Sequence, residues 1–155
     1  MMKIELLAVG TKPPGWVEDA VGEYRKRLRD CRFSIREIKT ADRKKPKSID
    51  GYKAEEADLL LDAIDPGSTV IALDRSGRNW STEDLAKHIE RLQLESSSIQ
   101  LLIGGPNGLH RRCLDRADLT WSLSNLTFPH QLVRVILAEQ IYRAFSILAN
   151  HPYHK

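Results

Sequence analysis

Leu101-Leu102-Ile103-Gly104-Gly105-Pro106-Asn107-Gly108-Leu109-His110 joins an apolar strand directly to a glycine-rich turn. The chain then predicts a second strand over residues 119–123, the polar stretch Ser122-Leu123-Ser124-Asn125-Leu126-Thr127-Phe128-Pro129-His130, and a long helix over residues 132–148. Two irregular loops therefore follow the carboxyl ends of two strands. Ligands bind at that edge of an open α/β sheet. This part of the chain thus predicts both a fold class and the position of a binding site.

The rest of the chain continues the alternation of strand and helix. Short apolar runs predict strands over residues 3–9, 33–38, 69–73 and 99–103. Apolar residues at three- and four-residue steps predict helices over residues 16–28 and 52–64 and a third that opens at Ser81, with Asp84 at the spacing of a capping box. The complete order of five strands and five helices predicts a single α/β domain over residues 1–155, with a parallel-rich sheet covered by helices on both faces.

Two connecting segments carry signals of their own. Asp74-Arg75-Ser76-Gly77 predicts a turn that ends the third strand. Residues 40–50 are basic, contain Pro46 and show no apolar period, so we expect a mobile loop there. No internal repeat or linker composition divides the chain.

The composition indicates an ordinary soluble globular protein, since the 155 residues are 41% hydrophobic and 29% charged. The longest nearly apolar run, residues 132–141, is interrupted by charged and amide side chains and is too short to span a bilayer. Residues 1–10 include a glutamate and no small-residue cleavage site, which favours a strand over a signal peptide. Cys31 and Cys113 lie far apart without ligand spacing, so reduced thiols and a cytoplasmic location are expected.

The net charge of +3 hides an uneven distribution along the chain. Residues 25–47, which we call the basic segment, contain eleven Lys or Arg and three acids, for a net charge of +8, so the remainder carries −5. Such a block can be the electrostatic contact surface for a nucleic acid. A solvated helix face joined to a disordered loop explains the same charges equally well. Charge alone does not decide between the two interpretations.

The glycine-rich turn and the polar loop would both let a ligand approach the backbone. Glycines at positions 104, 105 and 108 add no side-chain bulk, so backbone amides are accessible. The turn lacks the G-x-G-x-x-G spacing of a dinucleotide site, and the chain has no Walker lysine–serine pair. Residues 123–128 place peptide groups, hydroxyls and an amide between apolar side chains, a composition that could hold an adenine. Each also has an ordinary structural explanation, as a strand-to-helix corner and as a loop that enters a helix at Pro129.

The last predicted helix and the residues after it carry further polar side chains. The helix is apolar nearly all round, which predicts burial of a second side by another subunit. Glu139 and Arg143 are four residues apart on one face, although an ordinary helix-stabilising pair explains that spacing best. His151, Tyr153 and His154 suit proton transfer and base stacking, whereas chain ends are usually frayed. The histidines show no ligand spacing, so no metal site is expected.

Several motifs taken together resemble a known family. They are Leu6-Leu7-Ala8-Val9-Gly10-Thr11-Lys12, Leu101-Leu102-Ile103-Gly104-Gly105-Pro106-Asn107-Gly108-Leu109, Thr127-Phe128-Pro129-His130, Arg134-Val135 and Asn150-His151-Pro152-Tyr153-His154. On these motifs the chain resembles the RlmH family of SPOUT methyltransferases, which act on pseudouridine N3 in large-subunit ribosomal RNA. The resemblance implies a trefoil-knotted α/β fold, S-adenosyl-L-methionine bound in the knot, and a homodimer whose active site uses both subunits. The implied substrate is a pseudouridine in helix 69 of 23S rRNA on the assembled ribosome.

The resemblance also assigns cofactor contacts by motif. These are Leu73, Gly104, Leu123, Ser124, Asn125, Leu126, Thr127 and Phe128. Catalytic roles are inferred from residue type: His154, or as second candidate Glu139, is the base that removes the N3 proton. Arg143 would hold a phosphate or stabilise the developing anion, and Tyr153 would stack on the target base. The basic segment would then contact ribosomal RNA.

Two other functions remain open beside this hypothesis. A ribosome-binding factor with a cofactor pocket but no turnover would share the same surface, although the intact glycines and polar loop argue against it. A dinucleotide-dependent oxidoreductase would need a glycine fingerprint and a ribose-binding acid that the sequence does not show. Cofactor binding separates the oxidoreductase from the other two, and methyl transfer separates the enzyme from the binding factor.

Overall fold

Residues 1–154 are described by a computed structural model, and within them five strands alternate with five helices. Their bounds are β1 Met2–Val9, α1 Gly15–Arg27, β2 Cys31–Ile38, α2 Ile49–Asp62, β3 Thr69–Asn79, α3 Thr82–Glu95, β4 Ser98–Ile103, α4 Arg111–Arg116, β5 Leu119–Ser122 and α5 His130–Leu148. The predicted order of elements is confirmed. None of the helices in this described part is long and apolar enough to cross a lipid bilayer.

The five strands form one sheet in the order β2-β1-β4-β3-β5, and every neighbouring pair is parallel. The predicted parallel-rich sheet is therefore confirmed. The central strands β1 and β4 are mostly buried on both faces because helices cover both sides, and Leu6 and Leu7 on successive positions of β1 are each 0% exposed. All carboxyl ends of the strands meet at one edge of the sheet.

Side chains on the two faces of the sheet pack into two separate hydrophobic clusters. On one face, Leu6 lies with Val17 of α1, Ile89 of α3 and Leu137 of α5. On the other face, Leu7 lies with Leu60 of α2 and Cys113 of α4. The alternation of β1 between the two clusters follows the two-residue period of a strand. The predicted helical layers on both faces are thus confirmed, whereas the knot and the homodimer implied by the resemblance stay predictions.

The predicted turn after β3 is wrong, because the strand continues past Leu73 to Asn79. Both Leu73 and Arg78 are paired with Trp121 of β5, so the intervening residues form a wide bulge in a continuing ladder. The residues do have the local contact of a turn, since the Asp74 carboxylate accepts a hydrogen bond from the Ser76 N–H at 3.0 Å. The chain nevertheless stays on the sheet because Gly77 lies against the β5 backbone, where a Cβ would be 2.6 Å from the Thr120 carbonyl carbon.

Helix caps explain the remaining helix starts. α2 begins at Ile49, earlier than predicted, because the Ser48 hydroxyl accepts a hydrogen bond from the Gly51 N–H at 3.0 Å. The capping box of α3 is confirmed, since the side chains of Ser81 and Asp84 each accept a hydrogen bond from the other's backbone N–H. Residues 39–48 have no regular secondary structure, as predicted, and their mobility stays a prediction.

Candidate active site

A cleft of about 430 Å³ opens at the carboxyl ends of β3, β4 and β5. Its walls are residues 73–75 at the start of the bulge in β3, the glycine turn at residues 104–108, most of the polar loop at residues 123–128 and the first turn of α5. The volume lies within the range of small-molecule sites, and the position matches the ligand edge of open α/β sheets. Leu126 on its rim is 71% exposed, so an apolar wall stands open to a ligand.

Seven of the eight predicted cofactor residues line this cleft: Leu73, Gly104, Leu123, Ser124, Leu126, Thr127 and Phe128. Asn125, the eighth, is not among the lining residues, and its side-chain oxygen instead accepts a hydrogen bond from the Asn79 amide at 3.0 Å. The fold therefore brings together side chains that are up to 55 positions apart in the sequence. Their binding role stays a prediction.

The two sides of the glycine turn approach each other so closely that a side chain larger than that of glycine does not fit at position 104. The Gly108 N–H donates to the Gly105 carbonyl at 3.0 Å, and Gly108 has φ 83°, in the left-handed region. A Cβ on Gly104 would be 2.5 Å from the Gly108 carbonyl carbon. The two sides of the turn therefore pack directly on each other, and all five of its residues line the cleft.

The polar loop is fixed by residues that the sequence did not indicate. The Thr127 hydroxyl accepts a hydrogen bond from the Arg75 guanidinium at 2.7 Å, and Asn79 holds Asn125 as described above. Within the loop, the Ser124 hydroxyl accepts from the Leu126 N–H at 2.9 Å. Arg75 and Asn79 both belong to the part of β3 that follows Leu73. The sequence had predicted that the strand ends in a turn before this part. The bulged strand therefore positions one wall of the cleft.

A half-buried ion pair holds the start of α5 against the sheet. Arg134 is 1% exposed and forms a bidentate pair with Glu37 at the end of β2, with Nη2 2.8 Å from Oε2. Gly10, after β1, leaves room for this guanidinium, since a Cβ there would be 3.2 Å from Nη2. His130 and Val133 on the same helix turn line the cleft. The ion pair thus fixes the wall that α5 contributes to the cleft.

The four predicted catalytic residues lie together at the other end of α5, in what we call the tail cluster: Glu139, Arg143, Tyr153 and His154. Arg143 Nε donates to Glu139 Oε1 at 2.5 Å, and its Nη1 lies 3.2 Å from His154 Nδ1. The guanidinium also stacks over the Tyr153 ring, 4.7 Å from its centroid. Spacing alone had favoured a plain helix pair between Glu139 and Arg143, and the pair exists within this larger cluster.

The end of the chain folds back because α5 ends with Asn150 in the left-handed conformation, φ 55°. The His151 N–H then donates to the Ser146 carbonyl at 2.8 Å. His154 reaches Glu83 at the start of α3, with Nε2 2.7 Å from the carboxylate. Glu83 was missed by the sequence reasoning because it is 71 positions away and had a sufficient explanation as a first-turn helix acid.

The contacts of the tail cluster shift the pKa values of Glu83 and Tyr153. The hydrogen bond with His154 holds the pKa of Glu83 below its ordinary value, so this carboxylate is an acceptor at neutral pH. Nε2 of His154 lies 2.7 Å from the Glu83 carboxylate, which can only accept, and its Nδ1 lies 3.2 Å from Arg143 Nη1, which can only donate. Burial, with a hydrogen bond to Tyr24, raises the pKa of Tyr153, so this side chain is an uncharged phenol.

Within one chain the tail cluster does not reach the cleft. Val133 lines the cleft and Arg143 follows ten residues later on the same helix, a separation of about 15 Å at ~1.5 Å per residue. A general base acts within hydrogen-bond reach of the proton that it removes. Within one protomer Arg143 is therefore beyond hydrogen-bond reach of this wall of the cleft, and Glu139, six residues after Val133, is about 9 Å along the helix from it at ~1.5 Å per residue.

Metal-ligating side chains and cysteine thiols form no further reactive site within residues 1–154. Across residues 1–154, no cluster of three or more His, Cys, Asp or Glu side chains is placed to hold a metal ion. Burial raises the pKa of Cys31 to about 12, with Asp30 adding to the shift, and raises that of Cys113 to about 11. Both residues are therefore protonated, unreactive thiols at neutral pH.

All eleven cations of the basic segment are exposed. Four of them pair with acids: Arg27 with Glu23, Arg36 with Glu5, Arg43 with Glu56, and Lys47 with Glu55. The other seven form no ion pair within the described part of the chain: Arg25, Lys26, Arg29, Arg32, Lys39, Lys44 and Lys45. These seven side chains are free within residues 1–154 to pair with phosphate groups.

The chain belongs to the SPOUT methyltransferase family. It matches the family model described as "Predicted SPOUT methyltransferase" over residues 2–154. It is an α/β methyltransferase, and the cleft at the carboxyl edge of its sheet lies within the matched region.

Named relatives cover essentially the whole chain. The chain is 48% identical over 155 residues to "Ribosomal RNA large subunit methyltransferase H" from Marinomonas sp. (strain MWYL1), covering 99% of this chain and 100% of the relative. Proteins of the same name from Nitrosococcus oceani and Hahella chejuensis are 48% and 46% identical, each over 99% of both chains. The resemblance seen in the motifs is thereby confirmed.

A solved structure supports the fold alone. It is described as "The structure of a probable methylase family protein from Haemophilus influenzae Rd KW20" and superposes with a TM-score of 0.57 at 14% identity. The match covers 99% of this chain and 70% of that one.

Proposed function

We propose that this protein is an S-adenosyl-L-methionine-dependent methyltransferase that methylates N3 of a pseudouridine in helix 69 of 23S rRNA on the assembled ribosome. Family membership and the printed names of its relatives support methyl transfer to large-subunit ribosomal RNA. The observation that carries the proposal is the cleft, because seven residues chosen from the sequence as cofactor contacts line one cavity at the ligand edge of the sheet.

The residues of the cleft suit S-adenosyl-L-methionine, which supplies the methyl group when bound. The glycine turn offers bare backbone where Gly104 leaves no room for a Cβ. The polar loop offers peptide groups beside Leu123, Leu126 and Phe128, which would enclose an adenine. Leu73, at the end of the apolar part of β3, also lines the cleft.

The protein works as a homodimer in this proposal. In a single chain, α5 leaves apolar side chains half-exposed at Leu132, Val135 and Ile136, although the helix packs on the sheet with its other side. A second copy covering this face would bury them. It would also bring its own tail cluster to the cleft, which removes the separation of about 15 Å that exists within one chain.

In the assembled site, the residues of the tail cluster act on the target base. The imide N3–H must be lost as the methyl group is transferred, and a positioned base contributes roughly 10²- to 10⁴-fold. His154 is the first candidate and Glu139 the second, with Arg143 beside both to stabilise the developing anion. Nδ1 of His154 must release Arg143 before it can accept a proton. Tyr153 presents an uncharged ring for stacking on the base.

The basic segment contacts ribosomal RNA in this proposal, since seven of its cations are exposed and form no ion pair within residues 1–154. Affinity for the ribosome should fall steeply with salt, with a slope in log–log form of roughly 0.7–0.9 per phosphate contact. The assembled ribosome as substrate places the enzyme in the cytoplasm. We further propose that the chain acts as one domain and contains the trefoil knot of its family.

The first test is transfer of tritiated methyl groups from S-adenosyl-L-methionine to intact ribosomes, isolated large subunits and naked ribosomal RNA. We expect transfer to ribosomes, at a helix 69 pseudouridine. Cofactor binding without transfer to any substrate would contradict the proposal and favour a ribosome-binding factor without turnover. Full turnover by His154→Ala at saturating cofactor would refute the assignment of the base, and Glu139→Gln would then be tested in the same assay.

A further inference from the structure

Glu56 is a buried carboxylate in α2 that lies outside the cleft and the tail cluster. The residue is 2% exposed. Its Oε2 accepts a hydrogen bond from the Ala41 N–H at 3.0 Å and lies 3.7 Å from Arg43 Nη2. Its Oε1 is buried and has no hydrogen-bond partner among the described residues. Such an atom carries a desolvation cost that a nearby donor would remove.

The unpartnered oxygen faces the back of the glycine turn. A Cβ built on Gly105 would lie 3.0 Å from Glu56 Oε1 and 3.1 Å from Val9 Cγ1. Gly105 lines the cleft with its other side, whereas Glu56 does not line it. The carboxylate is therefore in contact with the turn from behind, where it can respond to a ligand without touching that ligand.

The other oxygen of Glu56 holds the last part of the basic segment. Arg43, beside that oxygen, stacks on the Tyr52 ring with its guanidinium carbon 4.1 Å from the centroid. The Tyr52 hydroxyl donates to the Lys45 carbonyl at 3.3 Å. Residues 40–47, which have no regular secondary structure, are thus folded onto α2 around Glu56. Lys44 and Lys45, two of the exposed cations, are carried by this loop.

We propose that Glu56 is a positioning residue that couples the glycine turn to the basic loop at residues 40–47. When the turn tightens on a ligand, a peptide N–H of the turn can bond to Oε1, which fixes the carboxylate and with it the loop held by Oε2. Cofactor in the cleft then orders the loop, and RNA on the loop tightens the cleft, since such coupling is reciprocal. The ligand half of this inference depends on the proposed function, whereas the contact between turn and loop does not.

The contact can be tested without any ligand by amide hydrogen exchange. Glu56→Gln replaces one carboxylate oxygen by an NH₂ group, which donates and cannot accept from the turn. Glu55→Gln is the matched control, because Glu55 pairs with Lys47 at 3.1 Å and ties the same loop to the same helix without contact to Gly105. We expect exchange of the Gly108 amide, which donates to Gly105, to rise roughly tenfold in Glu56→Gln and to stay unchanged in Glu55→Gln. Unchanged exchange in Glu56→Gln, or an equal rise in both variants, would overturn the inference.

Gly105→Ala tests the same contact by changing the turn and leaving Glu56 in place. It also replaces Glu56→Gln as the test if that variant shows no cooperative unfolding transition and is therefore not folded. The new methyl group would press on Glu56 Oε1, so we expect faster exchange at the Ala41 amide, in the loop. A merely local packing defect would speed exchange in the turn and leave Ala41 unchanged, which would count against the coupling.

The ligand half is tested with S-adenosylhomocysteine and intact ribosomes. In the wild-type protein and in Glu55→Gln, saturating S-adenosylhomocysteine should tighten ribosome binding by about fivefold or more, and in Glu56→Gln this factor should fall to about one. Equal factors in all three proteins would overturn the coupling while the proposed function stands. No binding of S-adenosylhomocysteine to the wild type would instead refute the proposed function, and the exchange experiment would still decide the contact between turn and loop.

Discussion

Gly104→Ala should separate ligand binding from folding, because its Cβ would collide only with the backbone of the glycine turn. A methyl group there lies 2.5 Å from the Gly108 carbonyl carbon and 2.8 Å from the Leu109 nitrogen. To reach an ordinary contact distance of 3.4 Å, the two sides of the turn must move apart by about 0.9 Å. The backbone groups that face the cleft move by a comparable amount.

The expected magnitude follows from this displacement. Overpacking of a well-packed site costs about 1–3 kcal/mol, and a misplacement of about 1 Å at a binding site costs up to roughly 100-fold. We therefore expect the dissociation constant for S-adenosylhomocysteine to rise by roughly 10- to 100-fold, with a fall in melting temperature that leaves the protein folded at 25 °C.

Isothermal titration of S-adenosylhomocysteine and calorimetric melting measure the two effects. Gly22→Ala is the control, because Gly22 lies inside α1 with no atom near its virtual Cβ, and alanine there should stabilise the helix by about 1 kcal/mol without change in affinity. An affinity of folded Gly104→Ala within about twofold of the wild type would refute the placement of the cofactor against this turn.

Three further predictions concern groups outside the glycine turn. Glu37→Ala should lower the free energy of unfolding by about 2–4 kcal/mol in denaturant unfolding, less than for a fully buried pair because the Glu37 side chain is 40% exposed. The loss arises because Arg134 is left as an unpaired charge, so the double variant Glu37→Leu/Arg134→Met should recover most of it. No recovery would contradict this explanation. The His88 ring stacks on the Trp80 ring with 4.0 Å between centroids, and burial, followed by the charge of Arg91, lowers the pKa of His88 below 6.5. The unfolded chain therefore binds a proton more readily than the folded one, so the melting temperature of the wild type should fall between pH 7.5 and 5.5 more than that of His88→Gln. An equal fall in both proteins would refute this. Since the pKa of Glu83 is lowered by its hydrogen bond with His154, their contact should be complete above pH 4.5 and lost as the pH falls through the lowered value. Glu83→Ala, which has no acceptor for His154, should free the tail already at neutral pH; identical NMR line widths of His154 in both proteins at pH 7 would contradict it.

The apolar strands and the cleft could be predicted from the sequence because their signals are local. Strands such as β1 and β4 read as continuous apolar runs, and glycines after β4 mark the edge where backbone is exposed. Residues that directly follow a strand are then expected at one edge of the sheet, because parallel strands have all their carboxyl ends at the same edge. This is why seven cofactor residues chosen from motifs line one cavity.

Contacts between distant parts of the chain could not be predicted in the same way. Arg134 and Glu37 are 97 positions apart, and nothing local shows that the arginine inside the first turns of α5 is buried. Residues 74–77 have true turn chemistry, yet packing of Gly77 on β5 keeps them in the sheet. The arrangement of His154 between Glu83 and Arg143 likewise depends on the direction in which Asn150 turns the chain.

Seven exposed cations of the basic segment form no ion pair within residues 1–154, and the rest of the chain carries a net charge of −5. Such an uneven charge attracts a polyanion to the basic segment during diffusional approach. Electrostatic attraction of this kind changes the rate of encounter more than the lifetime of the complex. Added salt should therefore slow arrival at the ribosome, while release, governed by close contacts, changes much less.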